Sequence, residues 1–384
     1  MSSLTLRRLP GGSRVSAVRG WLTAAAGSSA AMAIGATWLL GHPDHNPLTK
    51  PDSVLVRHAL DTPGTTWLSL VLGVVGVLVA AYGLVRPADR AAGAALVGVG
   101  LVEVVGVGIL LQSITSIALA GYLVALALPL GLAWLAVQVI RRYRRLRWVM
   151  VVALLGVAVW GAATEVLAPT HLATLAGQIG AGFIRSAPAL GLGVVTAVGA
   201  LTWALLLVRL LAATRSVGVL GDWVLRHRTA VTIVAAAGPV PYALVRASWL
   251  TPWPLLNPSG EVLSPEIRLW GLLLGGAAGL GAVLTIGLIR PWGVVFPRWM
   301  PRLAGRPVPE RAATIPGGAV AGILCLSAVP MLVGILLPAP GTVFGDVSLS
   351  ARLASTVIFP FWFWGPALAL AVWGYARSRR ELAR

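Results

Sequence analysis

The chain alternates between long apolar runs and short polar segments that are rich in arginine. Each run holds about 20 residues, which lets a helix cross about 30 Å of hydrocarbon. The pattern predicts an all-α, polytopic membrane protein with about ten transmembrane helices. The predicted spans are residues 20–41, 66–85, 91–113, 116–140, 148–167, 188–212, 230–250, 268–289, 315–337 and 353–376. The first run is long for a signal-peptide core, so we expect it to stay in the protein as a helix.

The basic residues fix an orientation for these spans. With both termini placed in the cytoplasm, 24 of the 30 Lys and Arg residues fall in cytoplasmic segments. This is the positive-inside distribution, and it predicts a multi-pass protein of the plasma membrane. The net charge of +18 could also indicate nucleic-acid binding. The arginines are confined to short loops between spans, which favours a role in setting the orientation of the protein in the membrane. We therefore expect no nucleic-acid partner.

The lipid bilayer is therefore the expected partner. Residues 290–314 form a long basic segment, and residues 216–228 mix apolar residues with arginines. Both are expected to lie on the inner leaflet and to contact anionic lipids there. The bias toward Arg, Ala, Val and Gly is typical of GC-rich coding, as in actinobacteria.

A short motif occurs twice, at a constant offset of 211 residues. Three positions match: Trp38 with Trp249, Pro43 with Pro254, and Asn46 with Asn257. Weaker matches in the same order follow in the next three spans. We predict a parallel 4+2+4 internal repeat, with a first four-helix repeat over 1–147, a connecting hairpin over 148–229 and a second repeat over 230–384.

The predicted unit resembles small four-helix membrane proteins of unknown function from actinobacteria. The resemblance rests on the Trp followed by a Pro/Asn-Pro turn after its first helix. It also rests on Arg290-Pro291-Trp292-Gly293 with Phe296-Pro297-Arg298-Trp299, and on the basic tail Arg142-Tyr143-Arg144-Arg145. It implies a fold and a membrane location, and it implies no activity or ligand.

Two ionisable residues fall inside predicted spans. Glu103 lies about 18 Å from the cytoplasmic edge of its helix. A carboxylate is costly there, so Glu103 is a candidate site for coupling to protons or cations. The alternative is a protonated or paired carboxyl that only holds helices together. Arg246 lies in the seventh span, where it either extends to the outer interface or pairs with Glu103.

Two prolines also interrupt the seventh span. Pro239 and Pro241 each remove a backbone N–H near its middle, so they should kink or break the helix. Broken helices can line a substrate site. The predicted substrate-binding candidates are therefore Glu103, Arg246, Pro239 and Pro241.

We predict no cofactor and no metal. The loop with His42, Asp44 and His45 has spacing that matches no closed zinc site. No P-loop, nucleophile elbow or zinc-protease motif is present in the sequence. The single cysteine, Cys325, lies in an apolar run.

Three functions remain open from the sequence. The first is a transporter-like protein with a site between the repeats. The second is a non-catalytic membrane scaffold or partner subunit. The third is an enzyme on lipid-linked substrates, which ranks last because we find no acid–base constellation.

Overall fold

The computed structural model describes most of the chain. It covers residues 12–49, 54–86, 90–112, 144–163, 168–211, 215–257, 263–298, 303–338 and 347–382, with scattered positions between 127 and 141, Met300, and residues 344–345. The predicted fourth span, 116–140, lies mostly outside the described residues.

The described residues are almost entirely helical. The helices are α1 (Gly12–Gly41), α2 (Thr62–Val85), α3 (Arg90–Val105), α4 (Arg144–Ala163), α5 (Pro169–Leu211), α6 (Arg215–Arg226), α7 (Arg228–Ala237), α8 (Val240–Ser248), α9 (Pro265–Gly287), α10 (Glu310–Leu336), α11 (Leu349–Ile358) and α12 (Phe361–Leu382). Their caps follow the local sequence. Asp61 accepts from Gly64 N at 2.7 Å at the start of α2, and Ser264 begins α9 in the same way.

Eight helical segments in the described residues are long and apolar enough to cross a membrane. They correspond to predicted spans 1–3 and 6–10. The fifth prediction, 148–167, coincides with α4, which holds a shorter apolar stretch over Arg147–Ala163. The all-helical, multi-span class is confirmed, whereas the count of ten, the repeat and the sidedness of the termini stay predictions.

Two predicted boundaries are wrong. The sequence predicts the sixth span over 188–212, but α5 begins at Pro169 and continues through Pro188. It predicts the tenth span over 353–376 as one helix, but α11 ends at Ile358 and α12 begins at Phe361. Pro360 explains the second difference, because its ring nitrogen cannot donate to the preceding turn.

The chain divides into two compact units. The first unit contains Met1–Ser113 and Pro188–Val219, and the second contains Ile114–Ala187 and Leu220–Arg384. The predicted division at 147 and 229 follows the proposed repeat and stays a prediction. In the first unit, α1 packs on α2 and α2 packs on α3. Its core is lined by residues from these helices and α5, namely Leu22, Ala25, Ala80, Leu96, Trp203 and Leu206.

The second unit has its own core. Here α10 packs on α12, α12 on α7, and α9 on both α7 and α8. The buried residues at the centre are Ala235, Leu288, Ala321, Leu324, Leu368, Ala371, Val372 and Tyr375. Glycines permit close helix contacts, since a Cβ on Gly275 would lie 2.8 Å from the Cβ of Arg246.

The segment between α9 and α10 forms a small closed loop. Val308 N donates to Val294 O at 2.8 Å, and Phe296 N donates to Arg306 O at 2.9 Å. Gly305 turns the chain at a φ of 74°, which a glycine adopts without strain. Arg379 of α12 holds this loop by donating to Val308 O at 3.0 Å.

We expect Arg379→Gln to loosen the loop between α9 and α10. Loss of a charged hydrogen bond removes about 1.5 kcal/mol, so open conformations become about tenfold more populated. Limited trypsin digestion after Arg298 and Arg302 should accelerate by that factor. The neighbouring variant Arg380→Gln is the control, because the Arg380 side chain is 72% exposed and its ion pair with Glu310 is long, at 3.4 Å. Equal digestion rates for the two variants would contradict the role of Arg379.

Candidate functional site

The first unit contains a buried carboxyl group, that of Glu103. It lies near the end of α3 and is 1% exposed. Neither carboxyl oxygen has a hydrogen-bond partner among the described residues. An ionised carboxylate without a partner is very costly to bury. Such a group must take up a proton or a cation, or gain a hydrogen-bond donor.

Small and polar residues from neighbouring helices surround this carboxyl. A Cβ added to Gly76 of α2 would lie 2.9 Å from Glu103 Oε1, and it would also come under 3.0 Å from Ser29 Oγ of α1. Glu103 and Ser29 therefore border the same gap at Gly76. Because Gly76 has no side chain, this gap is open to the two oxygen atoms.

Ser29 is held in place by a tryptophan. The indole Nε1 of Trp203, from α5, donates to Ser29 Oγ at 3.0 Å. Both residues are buried, with Trp203 at 0% exposure and Ser29 at 3%. A hydroxyl that accepts a hydrogen bond still has its own hydrogen to donate. The arrangement places a potential donor beside the unpartnered carboxyl of Glu103.

The backbone changes character immediately after Glu103. Residues Gly106–Leu110 form a π-helical turn, and Leu111 N donates to Gly106 O at 2.9 Å. The sequence predicted a regular helix through residue 113. Single π-helical turns occur often at functional sites, and glycine tolerates their strain. Beyond this turn, Gln112 accepts from Thr196 Oγ1 at 3.4 Å.

The prolines of the second unit break a helix, as predicted. Helix α7 ends at Ala237, and α8 begins at Val240 with Pro239 as its N-cap and Pro241 in its first turn. Gly238 lies at the break, where a Cβ would come 2.5 Å from Trp364 of α12. The break therefore leaves room for an indole ring against the backbone.

Arg246 is stacked between aromatic rings of its own helix end. Its guanidinium carbon lies 3.9 Å from the centre of the Trp249 ring and 5.1 Å from that of Tyr242. Such contacts stabilise a partly dehydrated cation. Glu103 belongs to the first unit and Arg246 to the second. The ion pair between them stays a prediction.

A row of aromatic rings continues from Tyr242 toward the second helix break. Tyr242 and Phe359 are 5.4 Å apart, Phe359 and Phe361 are 6.2 Å apart, and Phe361 and Trp364 are 6.3 Å apart. The predicted tenth span, 353–376, runs through this break without interruption. Pro360 was the signal that could have revealed it.

The structure also brings together a pair that sequence reasoning missed. His171 Nδ1 of α5 lies 2.5 Å from Glu266 Oε1 of α9. The two residues are 95 positions apart. No local spacing connects them, so no sequence signal could have indicated this contact.

The histidines after α1 have local structural roles. The His42 ring stacks on Trp38 at 4.7 Å, and its Nδ1 lies 2.9 Å from the Trp38 carbonyl oxygen. Asp61 caps α2. In the part of the chain that the structure describes, no group of three His, Cys, Asp or Glu residues could hold a metal ion.

The apolar helices, with polar groups buried inside the first unit, define an integral membrane protein of the polytopic α-helical class. Comparisons with known proteins add nothing more specific. No protein-family model, curated protein or solved structure matches this chain.

We expect Gly76→Ala to disrupt the gap beside Glu103. The added methyl would overlap Ser29 and the Glu103 carboxyl, so α1 and α2 must separate. Overpacking of this kind costs about 1–3 kcal/mol and should lower the thermal midpoint in detergent. Gly98→Ala in α3 is the matched control, because nothing lies within 4 Å of the added Cβ. If both variants melt like the parent protein, the gap is not as tight as the structure shows.

Proposed function

We propose that this membrane protein is transporter-like and that Glu103 is its site for a coupled proton or monovalent cation. The observation that supports the proposal is the buried Glu103 carboxyl with no partner among the described residues. Ionisable residues inside membrane spans commonly serve proton relays or ion pathways. A purely structural carboxyl would be expected to have a hydrogen-bond partner.

The residues around Glu103 suggest how occupancy would change the protein. When the carboxyl releases its proton or cation, the Ser29 hydroxyl across the gap at Gly76 is the potential donor that would move toward it. Trp203 keeps Ser29 in position during this change. The occupied and the released state of Glu103 differ by one charge inside the helix bundle. They therefore favour different packing of α1, α2 and α3. The π-helical turn after Val105 is an element that can shift register between such states.

The broken helix of the second unit fits the same proposal. Discontinuous helices in transporters bring substrate groups to half-helix ends near the middle of the bilayer. Pro239 and Pro241 create such a discontinuity, and Arg246 supplies a cation five residues after Pro241 in the same helix. We retain these residues as substrate-binding candidates, with a site between the repeats as the prediction. We also retain the plasma membrane as the proposed location, on the distribution of the arginines.

One observation favours a second candidate function, a non-catalytic scaffold or partner subunit. Glu103 and its neighbours Ser29 and Trp203 are all closed off from solvent in this conformation. Such a cluster can hold α1, α2, α3 and α5 together without any transport. The two functions differ in whether removal of the carboxyl changes ion movement or only stability.

We expect Glu103→Gln to abolish coupled ion movement. In proteoliposomes that contain a pH-sensitive dye, or that are loaded with ²²Na⁺, the parent protein should move protons or sodium ions down an imposed gradient. The Gln variant keeps the shape of the side chain but cannot exchange a proton or balance a cation, so its rate should fall at least about tenfold. Glu310→Gln is the control, since Glu310 lies at the start of α10 and forms an ion pair with the exposed Arg380.

The same measurements separate the two functions. Proton or sodium flux that is unchanged in Glu103→Gln would remove the coupling role. No flux in the parent protein, together with a shifted thermal midpoint in Glu103→Gln alone, would favour the scaffold.

A further inference from the structure

A basic cavity opens at one end of the second unit. Its volume is about 220 Å³, and it lies where the start of α7, the end of α9 and the last turns of α12 meet. Arg228 and Arg290 are the charged residues of its lining, which also includes Tyr375 and Ser378. None of the described residues that line it is acidic.

Hydrogen bonds connect the polar residues of this cavity to one another and to the backbone. Tyr375 is 1% exposed and donates to Gly293 O at 2.8 Å, while Ser378 is 8% exposed and donates to Tyr375 O at 3.0 Å. Arg228 donates from one guanidinium nitrogen to Ser378 Oγ at 2.5 Å. This contact positions the Arg228 guanidinium, which has five N–H donors in all.

The charge of the cavity is not balanced within it. In the part of the chain that the structure describes, no carboxylate forms an ion pair with Arg228 or Arg290. Two guanidinium groups at one cavity favour an anion with several acceptor oxygens. A phosphate group has this chemistry, and 220 Å³ provides enough space for it.

An apolar cavity adjoins the basic one. It has a volume of about 520 Å³ and shares Pro291 with the first cavity. Its other lining residues are Trp292, Val295, Phe296 and Pro297, together with Gly305 and the charged Arg298. The pair therefore places the two arginines of the first cavity next to a second cavity with a mostly apolar lining. This combination matches an amphiphile with a phosphate headgroup better than it matches a free phosphate ion.

We propose that Arg228 and Arg290 form a binding site for a phosphate-bearing anion, with Ser378 holding the Arg228 guanidinium in place and with the headgroup of an anionic bilayer lipid as the favoured source. The cavity belongs to segments that the arginine distribution assigns to the cytoplasmic side, where anionic lipids attract basic groups. The site lies in the second unit and does not depend on the role proposed for Glu103.

Two binding measurements test this site. In the first, inorganic phosphate is titrated calorimetrically into delipidated protein in detergent at constant ionic strength. In the second, native mass spectrometry counts phosphatidic acid bound to the protein, against phosphatidylcholine with the same chains. Arg290→Gln is the main variant, because Arg290 is exposed and its loss should not prevent folding. Arg311→Gln is the control, because it removes one charge from an exposed position outside the cavity.

We expect Arg290→Gln to weaken binding about tenfold, and Arg311→Gln to change it by less than about twofold. Glu103→Gln should leave binding unchanged, which keeps this test separate from the test of ion movement. Phosphatidic acid that binds at least about 100-fold more tightly than inorganic phosphate would identify a lipid as the source. Similar affinities that both depend on Arg290 would identify a soluble phosphate compound. Equal losses of binding affinity in Arg290→Gln and Arg311→Gln would overturn the proposal. They would show that binding depends on the total surface charge and not on this cavity.

Discussion

Inside a bilayer, each polar group must find its partner within the protein, and this constraint organises the described structure. Hydroxyl groups within the helices meet it locally, by donating to the carbonyl one turn earlier. Thr66 donates to Thr62 O at 2.8 Å, Thr202 to Val198 O at 2.7 Å, and Thr285 to Gly281 O at 2.8 Å. Glu103 departs from this rule, because neither carboxyl oxygen has a partner among the described residues.

The same constraint explains where the helices break. A proline removes a donor and leaves the preceding turn incomplete. The breaks at Pro239 and Pro360 occur at such points, and aromatic rings lie beside both of them. Trp364 lies against Gly238, and Phe359 lies against Tyr242. Proline alone does not end a helix, however, since α5 continues through Pro188 and α10 through Pro316 and Pro330.

The charged side chains of the protein have different kinds of neighbours. Arg246 is stabilised by two aromatic rings, and Arg379 by backbone carbonyl oxygens of the loop between α9 and α10. Arg228 and Arg290 face a cavity whose described lining contains no acid. Glu103 is buried beside Ser29 and Gly76. We propose ligands at two of these places, a proton or cation at Glu103 and a phosphate group at the basic cavity.

The sequence by itself determined the class of the protein and the approximate position of most spans. It also showed that the Glu103 carboxyl lies inside a span, where a charge is costly, and that the helix breaks at Pro239. These features depend on runs of neighbouring residues, and the cost of burying a charge or losing a donor acts locally. Only the tertiary structure decided what surrounds Glu103, because Ser29, Gly76 and Trp203 come from three other helices. It also decided the contact of His171 with Glu266 and the assembly of the basic cavity from α7, α9 and α12. Helix packing brings these distant residues together, and no spacing along the chain encodes that packing.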